Sequence, residues 1–361
     1  MDLALATARQ ALFITSPNPR VGCVIAAPDG QVLGVGHTQQ AGGPHAEIMA
    51  MRDAAARGHD VRGATAYVTL EPCSHQGRTG PCCDALAAAG VARVVASLAD
   101  PNPLVAGNGF ARLRAAGIEV EVGPGAAEAR EINLGFFSRM VRRQPWVRLK
   151  AAMSLDGGTA LPDGSSQWIT SEAARADGHQ WRARACAILT GVGTVLADDP
   201  ALDVRYVDTP RQPRLVVVDS QLRTPPTARL FAAKRHVLVY CATAPAQQRA
   251  ALEAAGAQIV ELPDAQGRVD LPGLLRDLAA REVNELHVEA GGQLNGALLA
   301  GNLVDECLLY LAPKLLGQAQ TAFNGLNLPR LSDAAALELR HIDTVGPDIR
   351  IQAMVQGRDR F

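Results

Sequence analysis

Gly42-Gly43-Pro44-His45-Ala46-Glu47, followed by Thr69-Leu70-Glu71-Pro72-Cys73 and Gly80-Pro81-Cys82, decides how the first part of the chain is read. Cys73 lies 28 residues after His45, and Cys82 nine residues after Cys73. One imidazole and two thiolates suit zinc, and three protein ligands leave the fourth tetrahedral position to water, as in catalytic rather than structural sites. Zinc lowers the pKa of such a water to about 7, and Glu47 is the candidate to take its proton and pass it to a leaving group. Residues two apart on a helix diverge by about 200°, so His45 and Glu47 can flank one metal only from a first helical turn. The preceding Gly42-Gly43-Pro44 places them there. Cys82 follows Pro81, a residue suited to a helix start, where the dipole favours a thiolate. Cys83 is the alternative ligand, and Cys82 is preferred.

Working outward, strand and helix signals alternate. A helix from the N-terminus to about Thr15 precedes a hairpin of Val21 to Ala26 and Gln31 to Gly36 around Pro28-Asp29-Gly30. His45 to Arg57 reads as helix, Ala64 to Leu70 as strand, Cys82 to Ala89 as helix and Val91 to Ser97 as strand; Gly109 to Ala116 is helical and Ile118 to Val122 extended. This order implies a largely parallel sheet covered on both faces. One helix from about Ala126 ends at Arg142-Arg143-Gln144-Pro145, which marks a boundary between domains 1–144 and 145–361. The second half is another α/β series. Its strands are expected at Val147 to Ala151, Ala187 to Thr190, Leu215 to Asp219, His236 to Tyr240, Ile259 to Leu262, Glu285 to Ala290 and Glu306 to Leu311. A long helix through Cys186 is capped by Thr170 or Ser171, and a hairpin of Leu337 to Ile342 and Ile349 to Val355 closes the chain.

Composition narrows the function. The 361 residues carry 35 basic and 36 acidic side chains, and residues 1–144 carry 13 and 12, with no stripe of aromatic and basic residues. That balance argues against a nucleic-acid partner. No uncharged apolar run approaches the ~18 residues of a membrane span, and the N-terminus has Asp2 where a signal peptide needs bases. A cytoplasmic protein, with its thiols reduced and free for metal, is the expectation.

His-x-Glu followed by Pro-Cys-x-x-Cys is the signature of zinc deaminases. Here Gln76 stands where the second cysteine should be, and eight residues separate Cys73 from Cys82. That longer spacing, with Asn18-Pro19-Arg20-Val21-Gly22-Cys23-Val24 and the run Ser74-His75-Gln76-Gly77-Arg78-Thr79-Gly80, closely resembles the RibD family of riboflavin biosynthesis, in which a pyrimidine deaminase is fused to a reductase. The resemblance implies a cytidine-deaminase-like three-layer sandwich with a mixed sheet, then a dihydrofolate-reductase-like α/β domain. It implies that Asn18, His75 and Arg78 hold the substrate, Arg78 as a phosphate partner. A histidine that the family often has seven residues before the zinc histidine is Thr38 here, with His37 one earlier, so that position carries no assignment.

Read for itself, the second half has no dinucleotide fingerprint, since Leu196 occupies the last glycine position of Gly191-Val192-Gly193-Thr194-Val195-Leu196. Glu289-Ala290-Gly291-Gly292 ends a strand before a helix, where free N–H groups can take a phosphate or where glycine merely serves a tight turn. Lys150-Ala151-Ala152-Met153-Ser154-Leu155-Asp156-Gly157, Ser166-Gln167-Trp168-Ile169-Thr170, Gly193 to Pro200 and Val288 to Gly292 resemble the family's reductase. The resemblance implies NADPH-dependent reduction of a ribosyl group. Ala152, Trp168, Thr194, Asp198, Ser220, Gly291, Gly292, Gln293, Leu294, Asn295, Gly296 and Ala297 would contact NADPH. Ser166, Arg182, Leu202, Arg205 and Glu289 would contact substrate. Lys150, one of only three lysines beside 32 arginines, is the candidate for proton transfer, with a surface lysine as the alternative. The expectation is a bifunctional enzyme acting on small phosphorylated pyrimidines, with zinc and NADPH as cofactors, assembled as a homo-oligomer. A nucleoside or nucleic-acid deaminase with an accessory nucleotide-binding domain is the rival enzyme reading. A structural zinc site beside a nucleotide sensor is the non-enzymatic one.

Overall fold

All five residues of Gly22–Ala26 are buried, so the strand they form must be covered on both faces. The computed structural model describes residues 1–75, 80–103, 105–326 and 328–361, and it divides into the units Met1–Arg143 and Gln144–Phe361.

In the first unit the order is α1 (Asp2–Arg9), β1 (Gly22–Ala26), β2 (Val32–His37), α2 (Ala46–Ala56), β3 (Thr65–Val68), α3 (Cys82–Ala88), β4 (Arg93–Ala96), α4 (Asn108–Ala115), β5 (Glu119–Val122), α5 (Ala126–Ile132) and α6 (Leu134–Arg142). The sheet order is β2-β1-β3-β4-β5. It is mixed rather than largely parallel: β1 pairs antiparallel with both β2 and β3, and only β3-β4 and β4-β5 are parallel. The cause is the hairpin, which puts β1 in the sheet in the sense opposite to β3. Helix α1 stops at Arg9 and turns follow to Ile14. The single helix expected from Ala126 is two, broken at Asn133, whose side-chain amide pairs with the backbone of Arg20, accepting from its N–H at 2.8 Å and donating to its carbonyl at 2.9 Å.

Close approach sets the position of α2. A Cβ at Gly36 would lie 2.4 Å from the Ala50 nitrogen, and one at Gly34 2.2 Å from the Ala50 carbonyl oxygen. The α2 backbone therefore rests directly on β2, and Asp53 of α2 accepts from Val35 N–H at 2.8 Å. This seats the start of α2, with His45 as its N-cap residue, over the C-terminal end of β2.

In the second unit the elements are β6 (Trp146–Ser154), β7 (Gly158–Ala160), α7 (Glu172–Arg184), β8 (Ala187–Gly191), α8 (Val192–Asp198), β9 (Arg214–Val218), β10 (Val237–Cys241), α9 (Ala246–Ala254), β11 (Ala257–Glu261), α10 (Leu271–Ala280), β12 (Glu285–Val288), α11 (Gly292–Ala300), β13 (Glu306–Ala312), β14 (Gln320–Thr321), β15 (Leu337–Val345) and β16 (Asp348–Val355). Nine strands run β11-β10-β9-β8-β12-β6-β13-β16-β15, with β7 and β14 in a small separate pair. From β11 to β13 all pairings are parallel, and the closing hairpin is antiparallel. Ser171 caps α7, accepting from Ala174 N–H at 3.2 Å. The side chains of the central strands alternate between two buried faces. Val147, Leu149, Ala151, Leu286, Val288 and Cys307 enter the main apolar core, whereas Arg148, Glu285, His287 and Glu306 lie buried on the opposite parity. The periodicity of Trp146 to Lys150 matches a strand with one wet face, yet both faces are covered.

Gly36→Val would drive its side chain into the α2 backbone. Overpacking of this kind costs about 1–3 kcal/mol, so the variant should unfold several degrees earlier in a thermal melt and retain less than stoichiometric zinc.

Candidate active sites

The loop after β2 brings His45 to the head of α2, the segment after β3 brings Cys73, and Pro81 starts α3 so that Cys82 is its first residue. The ligand atoms of His45, Cys73 and Cys82 lie within 4.8 Å of one another. The His45 Nδ1 is 3.5 Å from the Cys73 sulfur and 3.4 Å from that of Cys82. The Cys82 backbone N–H donates to the Cys73 sulfur at 3.3 Å, and hydrogen bonds from Cys82 and contact with His45 hold the Cys73 thiol below its ordinary pKa. One soft imidazole and two sulfurs converging on a point, with a helix N-terminus supporting the thiolate, form a donor set that fits zinc. Cys83 does not join it: its thiol faces Asp84 at 3.4 Å. Glu47, in the first turn of α2, is only 4% exposed. Burial pushes its carboxyl up to about 7, with the Cys73 charge adding to the effect.

Among the other predicted residues of this unit, Asn18 is half-buried in the turn before β1, its N–H donating to Thr15. His75 is exposed, and Arg78 lies outside the described residues. At the position left without assignment, Thr38 is buried and its hydroxyl accepts from Val21 N–H. Sequence reasoning gave no role to Glu71, and the structure supplies one. Its buried carboxylate accepts from the N–H groups of Asp100 and Gly107 through one oxygen, and of Gly109 and Phe110 through the other, at 2.9–3.3 Å. It ties the segment that carries Cys73 to the start of α4. An acid two residues ahead of the cysteine was visible, but the four amides it meets lie 29 or more residues away.

In the second unit, β8 and β12 are parallel neighbours. The connection from β8 through α8 leads to β9 on one side, and that from β12 through α11 leads to β13 beyond β6 on the other. Such a reversal opens a crevice beyond the carboxyl ends of the strands, the usual place for a dinucleotide in an open α/β sheet. Thr194 of α8 and Gly291 at the N-cap of α11 face each other across it: a Cβ on Gly291 would sit 3.7 Å from the Thr194 hydroxyl oxygen. The two helix starts offer free N–H groups here. The glycine run is of two kinds. Gly291 and Gln293 are exposed, but a Cβ on Gly292 would meet the Thr321 carbonyl oxygen at 2.4 Å, and one on Gly296 that of Asn324 at 2.4 Å. Asn295 is buried and donates to the Ala290 and Ala322 carbonyls. Gly292, Asn295 and Gly296 therefore pack α11 against the 321–326 turn. Leu294 lies over Gly191, and Ala297 is exposed.

Ala152 continues the β6 face beside Tyr310 and Trp181. Trp168 is 63% exposed, with the Arg175 guanidinium 4.4 Å from its ring centroid. Ser166 is half-buried just before it, Asp198 is exposed at the end of α8, and Ser220 follows β9, its carbonyl accepting from Ala242 and Thr243.

Lys150, Arg182 and Glu289 come together. Arg182 grips Glu289 with two hydrogen bonds, at 2.5 and 2.9 Å, and also donates to the Asp203 carbonyl. The Lys150 Nζ is 3.7 Å from the Glu289 carboxylate. Lys150 is thus an interior strand residue rather than a surface lysine, and burial lowers its pKa. The two neighbouring cations hold Glu289 well below the carboxylate range despite its burial. Arg205 is half exposed and pairs with Asp203, and Leu202 is buried with φ +48°. His179, which no pattern had marked, accepts from Arg205 N–H at 3.1 Å. Burial and the adjacent Arg182 and Arg205 lower it to about 4, so it is neutral at pH 7.

A zinc-type nucleobase deaminase unit and a dinucleotide-dependent reductase unit are the classes these two sites define. A family model for the cytidine and deoxycytidylate deaminase zinc-binding region matches residues 1–98, and one for the RibD C-terminal domain matches residues 145–351. The Escherichia coli riboflavin biosynthesis protein RibD is 47% identical over 97% of this chain and 96% of its own. The structure of Acinetobacter baumannii RibD superposes with a TM-score of 0.89 at 40% identity, covering 98% and 97% of the two chains. A Thermotoga maritima diaminohydroxyphosphoribosylaminopyrimidine deaminase/5-amino-6-(5-phosphoribosylamino)uracil reductase gives 0.87 at 31% identity over 98% and 97%. The chain belongs to the RibD family, the bifunctional deaminase and reductase of riboflavin biosynthesis, with zinc and NADPH as cofactors. Among the described residues no helix is long and apolar enough to cross a membrane.

Glu71→Gln removes the charge and replaces one acceptor oxygen with a donor, stranding two buried N–H groups at about 1–3 kcal/mol each. The variant should melt earlier and, by metal analysis, hold less zinc than wild type.

Proposed function

We propose that His45, Cys73 and Cys82 hold the zinc of the deaminase and that Glu47 moves its protons. The observation that carries this is the convergence of the three ligand atoms within 4.8 Å beside a buried acid two residues from the histidine. Zinc bound there supplies a Lewis acid that makes water a competent nucleophile at neutral pH. Glu47 takes a proton as the water oxygen adds to the amino-bearing carbon of 2,5-diamino-6-(5-phosphoribosylamino)pyrimidin-4-one, and returns it to the nitrogen as the C–N bond breaks and ammonia leaves. Asn18, His75 and Arg78 hold the ribotide.

In the second unit, Thr194, Gly291 and Gln293 at the starts of α8 and α11 would hold NADPH, which would supply a hydride. Trp168, Asp198, Ala152 and Ser220 border it. The substrate, opened from ribosylamine to imine, takes the hydride at the sugar carbon, and Lys150 delivers the accompanying proton. Arg205, half exposed, and Arg182 meet the phosphate through charge-assisted hydrogen bonds, and Arg182 also holds Glu289. Ser166 and Leu202 complete the substrate's surroundings. The cytoplasm, where thiols stay reduced, suits the free Cys73 and Cys82. Leu337, Leu339 and Ile342, exposed on edge strand β15, support assembly with a second copy, which sedimentation would detect as a dimer or larger species.

Glu47→Gln should lower ammonia release at least about 100-fold, with zinc content intact and NADPH oxidation unchanged when 5-amino-6-(5-phosphoribosylamino)uracil is supplied. Loss of both activities in a folded, zinc-loaded variant would contradict separate sites.

A further inference from the structure

His287 has no part in the scheme above, yet its position is unusual. It lies in β12 between Glu285 and Glu289 on the same face, fully buried, opposite Arg148 of β6 in the sheet register. Neither ring nitrogen makes a hydrogen bond, although buried polar groups are almost always paired. Its Nε2 lies 3.5 Å from a Glu289 carboxylate oxygen, the same oxygen that accepts from Arg182 Nε. Burial lowers its pKa against the opposing pull of Glu289, and a neutral ring has one N–H to give.

Glu289 is oversubscribed. Arg182 takes both of its oxygens, and Lys150 stands 3.7 Å away. A ligand that draws on Arg182 or Lys150 loosens the carboxylate, and a freed carboxylate in a buried site needs another donor at once. The nearest unspent donor is the His287 imidazole.

We propose that His287 is a positioning residue of the reduction: it acts through Glu289, holding the carboxylate in place when substrate engages Arg182 and Lys150. Its role is to keep Lys150 aimed at the reacting atoms without touching them itself. A side chain that fills the same space without a donor leaves Glu289 free to swing onto Lys150 and neutralise it.

The inference rests on the assignment of Lys150 and Glu289 to the reductase site, and the test separates the two. Four variants of the full-length protein, His287→Leu, His287→Gln, Lys150→Met and Glu289→Gln, are compared by steady-state reduction of 5-amino-6-(5-phosphoribosylamino)uracil, by NADPH affinity and by deaminase turnover as a folding control. His287→Leu should lower kcat for reduction about tenfold with NADPH affinity and deamination unchanged, and His287→Gln, whose amide can still donate to Glu289, should recover most of that loss. A residue that only fills space predicts the reverse order, because Leu is the better buried side chain. Leu at wild-type kcat, or Gln no better than Leu, overturns the proposal. Wild-type reduction in Lys150→Met and Glu289→Gln would instead overturn the assignment of the site itself.

Discussion

Arg148 is completely buried in β6, an interior strand of the second unit, between two equally buried carboxylates: it donates to Glu306 at 2.9 Å and to Glu285 at 3.1 Å. Removing any one of the three would leave a buried charge that its remaining partners only partly compensate, which is more costly than the net worth of the cluster. The constraint spreads outward. Arg184 of α7 also donates to Glu285, Trp181 of α7 lies against the Arg148 guanidinium at 4.5 Å, and Trp146 donates its indole N–H to Glu306. Further along α7, Asp177 accepts from Tyr310 and Arg350. Helix α7 is therefore registered on the sheet by charge and hydrogen bonding rather than by apolar fit alone, and the same registry delivers Arg182 to Glu289 at the carboxyl ends of the strands. The Arg182–Glu289 pair is thus placed by an ion network that meets α7 at the neighbouring Trp181 and Arg184.

The first unit solves the same positioning problem with almost no charge. There the helix start that carries His45 is set by backbone contact at Gly34 and Gly36, and the Cys73 segment is held by the amides gathered on Glu71. Metal ligands need tolerances of a few tenths of an ångström, and rigid backbone-to-strand packing is a direct way to reach them.

How far the primary structure revealed all this depends on the range of each interaction. His45, Glu47, Cys73 and Cys82 could be singled out because metal chemistry restricts residue types and spacing; the structure brings His45, Cys73 and Cys82 together and turns Cys83 toward Asp84. The closing hairpin and a cap at Thr170 or Ser171 were legible as local chemistry. The sense of β1 against β3 was not, since it depends on which strands become neighbours, and neither was the break at Asn133, whose partner is Arg20, 113 residues away. Arg148 and Lys150 alternate with Val147 and Leu149 as a half-exposed strand would, and nothing local says that a helix covers the charged side. Glu71 and His179 act on partners brought in by the fold.

The glycines of α11 carry a different lesson. Gly292 and Gly296 stand four residues apart, one helical turn, and both are pressed by the carbonyls of residues 321 and 324 from behind. A search that used this spacing to find nucleotide-binding chains would be selecting for the turn at the helix's back, not for a ligand. Relatives that had lost the cofactor but kept the turn would still score, and relatives that bound it with a remodelled turn would be missed.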